Sequence, residues 1–223
     1  MKSARDEKVI EEIRQRILDA ALEIIVAEGF NSFTMRRLAT AIKMTAPNIY
    51  NYFSNKDEIY INIVIRGFRM LHAIIEAVYK NTADPFERIR LIAQKYVSFG
   101  IENPQYYEIM FVSSTPKYQD YIGTSFEALS EIEYKISMEI VALVMKAGYA
   151  FYDSVEISPE ALCKMDMTSE RAERKMVQLW SMLHGMVCLN NSRIMPYVLD
   201  DHDDVYPVIL DDALKSLFRE IQA

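Results

Sequence analysis

The stretch TMRRLATAIKMTAPNIYNYFSNK, residues 34–56, contains two short helical patterns separated by a tight turn. Thr34 can cap the first helix and Thr45 the second, because a threonine hydroxyl accepts a hydrogen bond from a backbone N–H of the first turn. Pro47 then falls in the first turn of the second helix, where its missing N–H costs little. This arrangement is typical of a helix-turn-helix, whose second helix enters the major groove of DNA.

Periodic apolar residues predict longer helices on both sides of this stretch and through the rest of the chain. The first helix is predicted to end at Gly29, and a capping pair of Ser54 and Asp57 is predicted to open a long helix that ends near Lys80. No alternating strand pattern or internal repeat is present, so the predicted fold is all-α. The remaining elements are helices from Pro85 and from Pro104 and over 118–147, 168–190 and 205–221, with loops over 149–168 and 191–205.

The charges are unevenly distributed along the chain. The net charge is −7, yet residues 1–60 contain nine basic and nine acidic residues and are neutral. Residues 29–56 carry four basic residues and no acidic one. A locally positive surface on an acidic protein is expected of a DNA-docking face, although a chance gap between acidic residues gives the same count. The four basic residues are Arg36, Arg37, Lys43 and Lys56.

Several other kinds of protein find little support in the sequence. No apolar run approaches the ~20 residues of a membrane span, and the N-terminus lacks the apolar core of a signal peptide, so we expect a cytoplasmic protein. Cys163 and Cys188 form no CxxC pair and are expected to be reduced thiols. The acidic stretch DDHDD at 200–204 is expected to be a solvated loop, because no second His or Cys lies at ligand spacing. Neither a metal nor a cofactor is predicted.

The candidate DNA contacts follow from the chemistry of the second short helix and its surroundings. Asn48 can pair with adenine N6 and N7, whereas Ala46 and Pro47 can only touch a thymine methyl group. Phenolic hydroxyls and ammonium groups suit phosphates. The predicted DNA-contacting residues are Thr34, Arg36, Lys43, Thr45, Ala46, Pro47, Asn48, Tyr50, Tyr52 and Lys56, while Ile49 and Phe53 are expected in the core.

Residues 10–60 resemble the N-terminal domain of TetR-family transcriptional regulators. The resemblance rests on a set of elements in a fixed order: Ala20-Ala21, Gly29-Phe30, Thr34, Tyr50-Asn51-Tyr52-Phe53 and Lys56. It implies a helix-turn-helix DNA-binding domain over 1–56 and a helical effector-binding and dimerisation domain over 57–223. The family's usual turn glycine is Lys43 here, and a left-handed backbone at that point would cost ~1–2 kcal/mol. A phosphate contact of Lys43 could offset this cost.

The same resemblance implies that the last two long helices pair with their copies in a homodimer. The stretch LWSMLHGMV, residues 179–187, also resembles a subgroup that carries Trp and His-Gly in this helix. Gly185 would allow close approach of two helices. The predicted dimer residues are Val177, Trp180, Gly185, Val187, Leu214, Leu217 and Phe218.

Aromatic residues are concentrated over residues 96–134, which hold nine of the 25 in the chain. Tyrosine brings hydroxyls as well as apolar area, which suits a pocket for a small apolar or aromatic effector, but each residue could equally belong to the core. His184 on an apolar face is more often a core histidine than a ligand. The candidate pocket residues are Tyr96, Phe99, Tyr107, Phe111, Phe126, Tyr134, Trp180 and His184.

These patterns together predict a homodimeric, ligand-responsive transcriptional regulator. The favoured form is a repressor of a palindromic operator that a small molecule releases, and a ligand that promotes DNA binding is the reverse possibility. Two other classes stay open: a helical enzyme or lipid-binding protein that uses the aromatic region, and a DNA-binding factor without an effector. No Gly-rich phosphate loop, metal-ligand spacing or Ser/His/Asp set supports an enzyme.

Overall fold

The computed structural model describes residues 4–154, 169–198 and 205–219, and within these ranges the chain is helical without strands, which confirms the all-α class. The described side chains are those of residues 7–151, 173–198 and 205–216. In chain order the elements are α1 (Ala4–Glu28), α2 (Met35–Ala41), α3 (Ala46–Ile49), α4 (Lys56–Asn81), α5 (Pro85–Glu102), α6 (Pro104–Tyr107), a π-helical turn (Glu108–Val112), α7 (Tyr118–Tyr121), α8 (Glu127–Ser154), α9 (Ser169–Asn191), a 3-10 turn (Met195–Tyr197) and α10 (Val205–Arg219).

The internal contacts of the chain divide it into two compact units. Unit 1 contains the residues up to Met70 together with Asn103–Ser137, and unit 2 contains Leu71–Glu102 together with the residues from Met138 onwards. Helices α4 and α8 each contribute to both units. The functional boundary predicted after residue 56 coincides with the start of α4 and stays a prediction.

Unit 1 contains a small three-helix core built by α1, α2 and α3. Ile17, Leu38 and Ile49 are completely buried in it, and Phe53 is 1% exposed. Each large apolar side chain buried in this way contributes roughly 1.5–3 kcal/mol. The guanidinium of Arg14 lies 4.1 Å from the centre of the Phe53 ring and closes the core on one side. The prediction that Ile49 and Phe53 belong to this core is confirmed.

Helix α4 begins with a capping pair that differs from the predicted one. The side-chain oxygen of Asn55 accepts a hydrogen bond from the Glu58 N–H at 3.0 Å, and the Glu58 carboxylate accepts from the Ser54 N–H at 2.6 Å. The predicted pair of Ser54 and Asp57 is therefore wrong by one position, because the longer Glu58 side chain reaches back to Ser54. Asp57 instead accepts a hydrogen bond from the Tyr121 hydroxyl at 3.0 Å.

The predicted single helix over 118–147 is interrupted. Helix α7 ends at Tyr121, and α8 begins at Glu127 and continues to Ser154, so the loop predicted from residue 149 also begins too early. Gly123 lies between them with φ +78°, a left-handed conformation that an α-helix excludes. The Glu127 carboxylate accepts a hydrogen bond from the Gly123 N–H at 2.8 Å and stabilises the break.

Unit 2 is built on contacts of α9 with α5 and α10. The Asn191 amide donates to the Gly100 carbonyl oxygen at 3.1 Å, which ties the end of α9 to α5. Gly148 of α8 lies so close to Met176 of α9 that an added Cβ would be 2.8 Å from its sulfur. None of the helices in the described ranges is long and apolar enough to cross a lipid bilayer. Cys163 and the acidic stretch at 200–204 lie outside these ranges.

Candidate functional site

The turn between α2 and α3 is a left-handed helix end. Lys43 has φ +56°, and its N–H donates to the Thr40 carbonyl while the Met44 N–H donates to the Ala39 carbonyl at 2.9 Å. This pair of bonds is a Schellman motif, in which the left-handed position usually belongs to glycine. Lysine there costs roughly 1–2 kcal/mol. The left-handed backbone that the sequence allowed for at Lys43 is therefore present, and the turn directs α3 away from α2.

The two threonines at the helix starts behave differently. The Thr34 hydroxyl accepts a hydrogen bond from the Arg37 N–H at 3.2 Å, as predicted for a cap. Thr45 occupies the N-cap position of α3, but its side chain makes no capping bond, which corrects that part of the prediction. Its carbonyl accepts the Asn48 N–H at 3.0 Å. The exposed Thr45 hydroxyl is consequently available to a partner.

Helix α3 presents polar side chains outward and apolar ones inward. Thr45, Pro47, Asn48 and Tyr50 are exposed, and Ala46 is half-buried. The Asn48 amide oxygen has only a long contact of 3.4 Å with the Asn51 amide. The outer face of α3 therefore carries an amide, two hydroxyls and a proline ring on a helix that is anchored from inside.

The basic side chains around α3 have different partners. The Lys56 ammonium donates to the Phe30 carbonyl at 3.4 Å and lies 4.4 Å from the centre of the Phe30 ring. The predicted phosphate contact Tyr52, which follows α3, is half-buried. Arg37 pairs with Glu28 at the end of α1. Within the part of the chain that the structure describes, the side chains of Arg36 and Lys43 form no ion pair. Both are exposed.

An open groove of about 650 Å³ runs beside α2. Arg36 and the exposed Thr34 lie on its wall, at the start of α2. The groove opens to solvent on the same unit as α3. Its lining residues are Ile24, Glu28, Ser32, Thr34, Arg36, Arg37, Thr40 and Ala41.

A second cavity, of about 130 Å³, lies inside unit 1 among α4, the π-helical turn, α7 and α8. One part of its wall is apolar and consists of Ile61, Val64, Phe68, Met110 and Pro116. The other part carries polar groups and consists of Tyr60, Lys117, Tyr118, Tyr121, Ser130 and Glu133.

Most of the hydroxyl groups in this wall are already engaged. The Tyr60 hydroxyl lies 2.8 Å from the Pro116 carbonyl oxygen and 2.9 Å from the Thr115 hydroxyl, and burial raises the pKa of Tyr60 to about 12. The Tyr121 hydroxyl donates to Asp57, and burial together with this carboxylate raises the pKa of Tyr121. The Ser130 hydroxyl donates to a backbone carbonyl at 3.0 Å. These three groups are therefore neutral and fixed in position.

Two oppositely charged side chains stand at the polar end of the cavity. Burial lowers the pKa of the Lys117 ammonium, and Glu133 and Asp120 oppose this effect. Burial also raises the pKa of the Glu133 carboxyl, and Lys117 opposes it. The Lys117 ammonium contacts the Thr115 hydroxyl at 3.3 Å. Lys117 and Glu133 therefore act on each other through space, although the ion pairs of the described residues do not include one between them.

The eight aromatic and histidine residues predicted for a pocket do not line this cavity. In unit 1, Phe111 packs on Phe68 with ring centres 5.7 Å apart, and Tyr134 stacks on Tyr118 at 4.9 Å, so both lie directly behind the wall. Tyr107 is buried, and Phe126 packs against Tyr121.

The other four predicted pocket residues lie in unit 2. Tyr96 and Phe99 are buried, and the Trp180 indole N–H donates to the Tyr96 hydroxyl at 3.0 Å. His184 Nε2 lies 3.6 Å from Cys188 Sγ on α9. Among the described residues, no group of three or more His, Cys, Asp or Glu side chains is placed to hold a metal ion.

Sequence reasoning missed the residues that do line the cavity, above all Lys117 and Glu133. The pocket prediction rested on the concentration of aromatic residues along the sequence. The cavity is instead lined by aliphatic, charged and aromatic residues from four separate segments. The interruption around Gly123 that brings α7 beside the first turns of α8 was also not predicted. Lys117 lies just before the helix predicted over 118–147 and Glu133 lies within it, 16 positions further on, so no sequence pattern linked the two.

The predicted dimer residues divide into two groups. Val177 and Trp180 are 58% and 51% exposed, and a Cβ added at Gly185 would meet nothing within 4 Å. Val187 and Leu214 are 0% exposed within the single chain, so their side chains have no surface left for a partner, and assigning them to an interface is wrong. The side chains of Leu217 and Phe218 lie outside the described part of the chain.

Comparisons with known proteins are consistent with this architecture. Residues 17–63 match the family of bacterial regulatory proteins, tetR family, and residues 89–213 match the tetracyclin repressor-like C-terminal domain. The uncharacterized HTH-type transcriptional regulator YobS of Bacillus subtilis is 25% identical over 138 residues, which are 61% of this chain and 66% of YobS. The HTH-type transcriptional repressor KstR of Mycobacterium tuberculosis is 26% identical over 149 residues, which are 66% of this chain and 64% of KstR.

The fold as a whole also has solved counterparts. The transcriptional regulator FadR of Bacillus subtilis, solved in complex with stearoyl-CoA, superposes with a TM-score of 0.64 at 17% identity, over 93% of this chain and 98% of that one. The sequence matches to the first three curated relatives span only 46–66% of those proteins. The second family match alone spans more than half of this sequence, and the chain belongs to the TetR family of bacterial regulatory proteins.

Proposed function

We propose that this protein is a ligand-responsive, DNA-binding transcriptional regulator: a homodimeric repressor of a palindromic operator that a small-molecule effector releases. One observation carries the proposal, namely the exposed amide of Asn48 on a helix anchored by the buried Ile49 and Phe53. A reading helix must present its polar groups in a fixed orientation, because base contacts depend on hydrogen-bond geometry. Membership in a family of bacterial regulatory proteins supports the same function.

The proposed DNA contacts sort into base-reading and backbone-positioning groups. Asn48 would read an adenine, and Ala46 and Pro47 would contact thymine methyl groups. The exposed cations of Arg36 and Lys43 would bind phosphates. The hydroxyls of four residues would donate hydrogen bonds to phosphates of the DNA backbone: Thr34, Thr45, Tyr50 and Tyr52. The Lys56 ammonium uses one of its donors on the Phe30 carbonyl and retains the others for a phosphate.

The homodimer would be formed by unit 2. Val177 and Trp180 place exposed apolar area on α9, and the open space above Gly185 would admit a partner helix. Two copies would present two reading helices to half-sites one or more helical turns apart. Residues 1–56 would then be the DNA-binding domain and residues 57–223 the effector-binding and dimerisation domain. Repression is supported by the similarity to the repressor KstR.

The experiment that tests this function is selection of binding sites from a pool of random duplex DNA. We expect enrichment of an inverted repeat whose half-sites contain an adenine sensitive to Asn48. Asn48→Ala should select the same half-site spacing with relaxed preference at that adenine, because the phosphate contacts remain. Asn81→Ala, which alters an amide at the far end of α4, should select the wild-type sequence. Failure of the wild-type chain to enrich any sequence would overturn the proposal.

A further inference from the structure

We propose that the cavity in unit 1 binds a small, uncharged ring compound that carries one hydroxyl group, of the size of phenol. The proposal deepens the function above and rests on it in one respect, namely that this compound is the effector. Binding to the cavity can be measured without DNA, so the two claims can fail separately.

The volume of the cavity sets the size of the ligand. At about 130 Å³ it is slightly smaller than the cavity of about 150 Å³ that holds one benzene molecule in another protein. One six-membered ring with a single small substituent is therefore close to the size of this cavity. A long acyl chain or a coenzyme A thioester is several times too large for this cavity.

The apolar wall favours a hydrocarbon ring. Phe68 and Met110 face one part of the cavity, and Ile61 and Val64 of α4 continue the wall. These side chains offer no hydrogen bonds, so a polar ring such as a sugar would lose its bonds to water on entry. A ring with apolar faces loses nothing and removes its own surface from water.

The two charged lining residues of the cavity favour one group that both donates and accepts a hydrogen bond. Lys117 is a donor and Glu133 an acceptor, and they stand at the cavity without an ion pair between them in the described chain. A hydroxyl accepts from an ammonium and donates to a carboxylate at once. The neighbouring hydroxyls of Tyr60, Tyr121 and Ser130 already have partners and do not compete for it.

The same pair of charges excludes charged ligands. A carboxylate in this position would face Glu133, with Asp120 also near, and an ammonium would face Lys117. Burial already disfavours the charged forms of both side chains, as the raised pKa of Glu133 and the lowered pKa of Lys117 show. A further unbalanced charge would add to that cost, whereas a neutral hydroxyl gives each group a partner.

Calorimetry of the full chain with four single-ring probes tests the proposal. We expect phenol to bind at micromolar to millimolar concentration, and toluene, benzoate and benzylammonium to bind about tenfold more weakly or worse. Toluene lacks the hydroxyl, and each of the other two carries a charge. Absence of phenol binding up to millimolar concentration, or benzoate binding as tightly as phenol, would overturn the proposal.

Two variants and one control variant locate the site. Glu133→Gln removes the repelling carboxylate from a half-buried position, so the affinity for benzoate should rise relative to that for phenol by about tenfold. Val64→Phe should fill the cavity and abolish phenol binding, and Ile132→Phe, on an exposed position of α8 outside the cavity, should leave it unchanged. An unchanged ratio of benzoate to phenol affinity in Glu133→Gln would contradict the site even if Val64→Phe failed to fold.

A DNA-binding assay with and without phenol separates the two claims. If the chain binds phenol but no DNA sequence specifically, the proposed regulatory function fails and the cavity assignment stands. If it binds a specific DNA sequence but no phenol, the cavity assignment fails and the regulatory function stands. Release of the DNA by phenol supports both.

Discussion

Two residues of unit 1 are held in energetically unfavourable conditions by the surrounding structure: a strained backbone conformation and a half-buried carboxylate. Lys43 has a left-handed backbone at the turn of the helix-turn-helix. Glu133 is a half-buried carboxylate whose ionised form burial disfavours. Strain and desolvation of this kind often collect at functional positions, which agrees with the proposed roles of both residues. Each can be tested by one substitution.

Replacing Lys43 by glycine should stabilise the protein. Glycine adopts φ +56° without the steric cost that lysine has, so the free energy of unfolding should rise by about 0.5–1 kcal/mol after the larger entropy of glycine in the unfolded chain is counted. Urea denaturation followed by circular dichroism measures it. The same change at the exposed Lys146, inside α8, should lower stability by about 1 kcal/mol. A loss of stability in Lys43→Gly would contradict the strain at this turn.

The substitution Glu133→Gln should stabilise the protein at neutral pH but not in acid. Burial raises the pKa of Glu133 in the folded chain, so the folded state binds a proton more readily than the unfolded state. Stability therefore falls as the pH rises from the unfolded pKa through the folded pKa. Glutamine does not ionise, so the variant does not lose stability as the pH rises. Its melting temperature should therefore exceed that of the wild type only at pH values above the pKa of Glu133 in the folded chain. An equal difference in melting temperature between the variant and the wild type at pH 3 and at pH 7 would contradict a raised pKa of Glu133.

At the scale of elements, the close approach of α4 to the π-helical turn shapes the cavity. A Cβ added at Gly67 would lie 2.5 Å from the sulfur of Met110 and 3.0 Å from the Tyr106 ring. Met110 lines the cavity, so α4 and the π-helical turn meet through a residue that also forms the cavity wall. A larger residue at this position has to displace the Met110 side chain.

The variant Gly67→Ala should therefore weaken ligand binding through the displaced Met110 side chain. We expect a loss of about 1–2 kcal/mol of stability, typical of overpacking, and a loss of phenol affinity of at least tenfold. Calorimetry and urea denaturation measure the two effects. Met110→Ala in the same chain should restore the room for the new methyl group, so the double variant should be more stable than additivity of the two single variants predicts. Strict additivity would show that the two residues do not meet.

Helix boundaries are predicted well from the sequence where a capping residue, a proline or a glycine marks them. Gly29 follows the end of α1, Thr34 precedes the start of α2, and Pro47 lies in the first turn of α3, as predicted from the sequence. The interruption at 122–126 was missed, because apolar periodicity continues across it and Gly123 alone does not distinguish a break from a tolerated glycine. The cavity was missed for a related reason, since its wall depends on how α4, α7 and α8 meet, and no local pattern encodes that.

At the scale of the whole molecule, the dimer residues predicted on α9 differ in their exposure. Val187 follows the same stripe as Val177, yet it is buried inside the chain while Val177 is exposed. A sequence stripe indicates that a face is apolar and does not say whether the same chain or a second copy covers it. The exposed residues of this predicted set, Val177 and Trp180, are available to a partner.

A charged residue at Val177 should weaken the proposed dimer without unfolding the chain. Val177→Asp places a carboxylate in the expected interface, and the dimer dissociation constant from sedimentation should rise by at least tenfold. Val112→Asp is the matched control, since Val112 is similarly exposed, at 47% against 58%, but belongs to unit 1. Its dissociation constant should stay at the wild-type value. Equal effects of the two variants would contradict an interface on α9.

The central claim is that α3 reads DNA through Asn48, and one measurement tests it most directly: the affinity of the wild type and of Asn48→Ala for the selected duplex and for a scrambled duplex at one salt concentration. The wild type should prefer the selected duplex by at least about 1,000-fold. Asn48→Ala should lose about 5- to 150-fold of that preference and keep its affinity for the scrambled duplex, because a base contact supplies discrimination and phosphates supply the rest. An unchanged preference in Asn48→Ala would contradict the account.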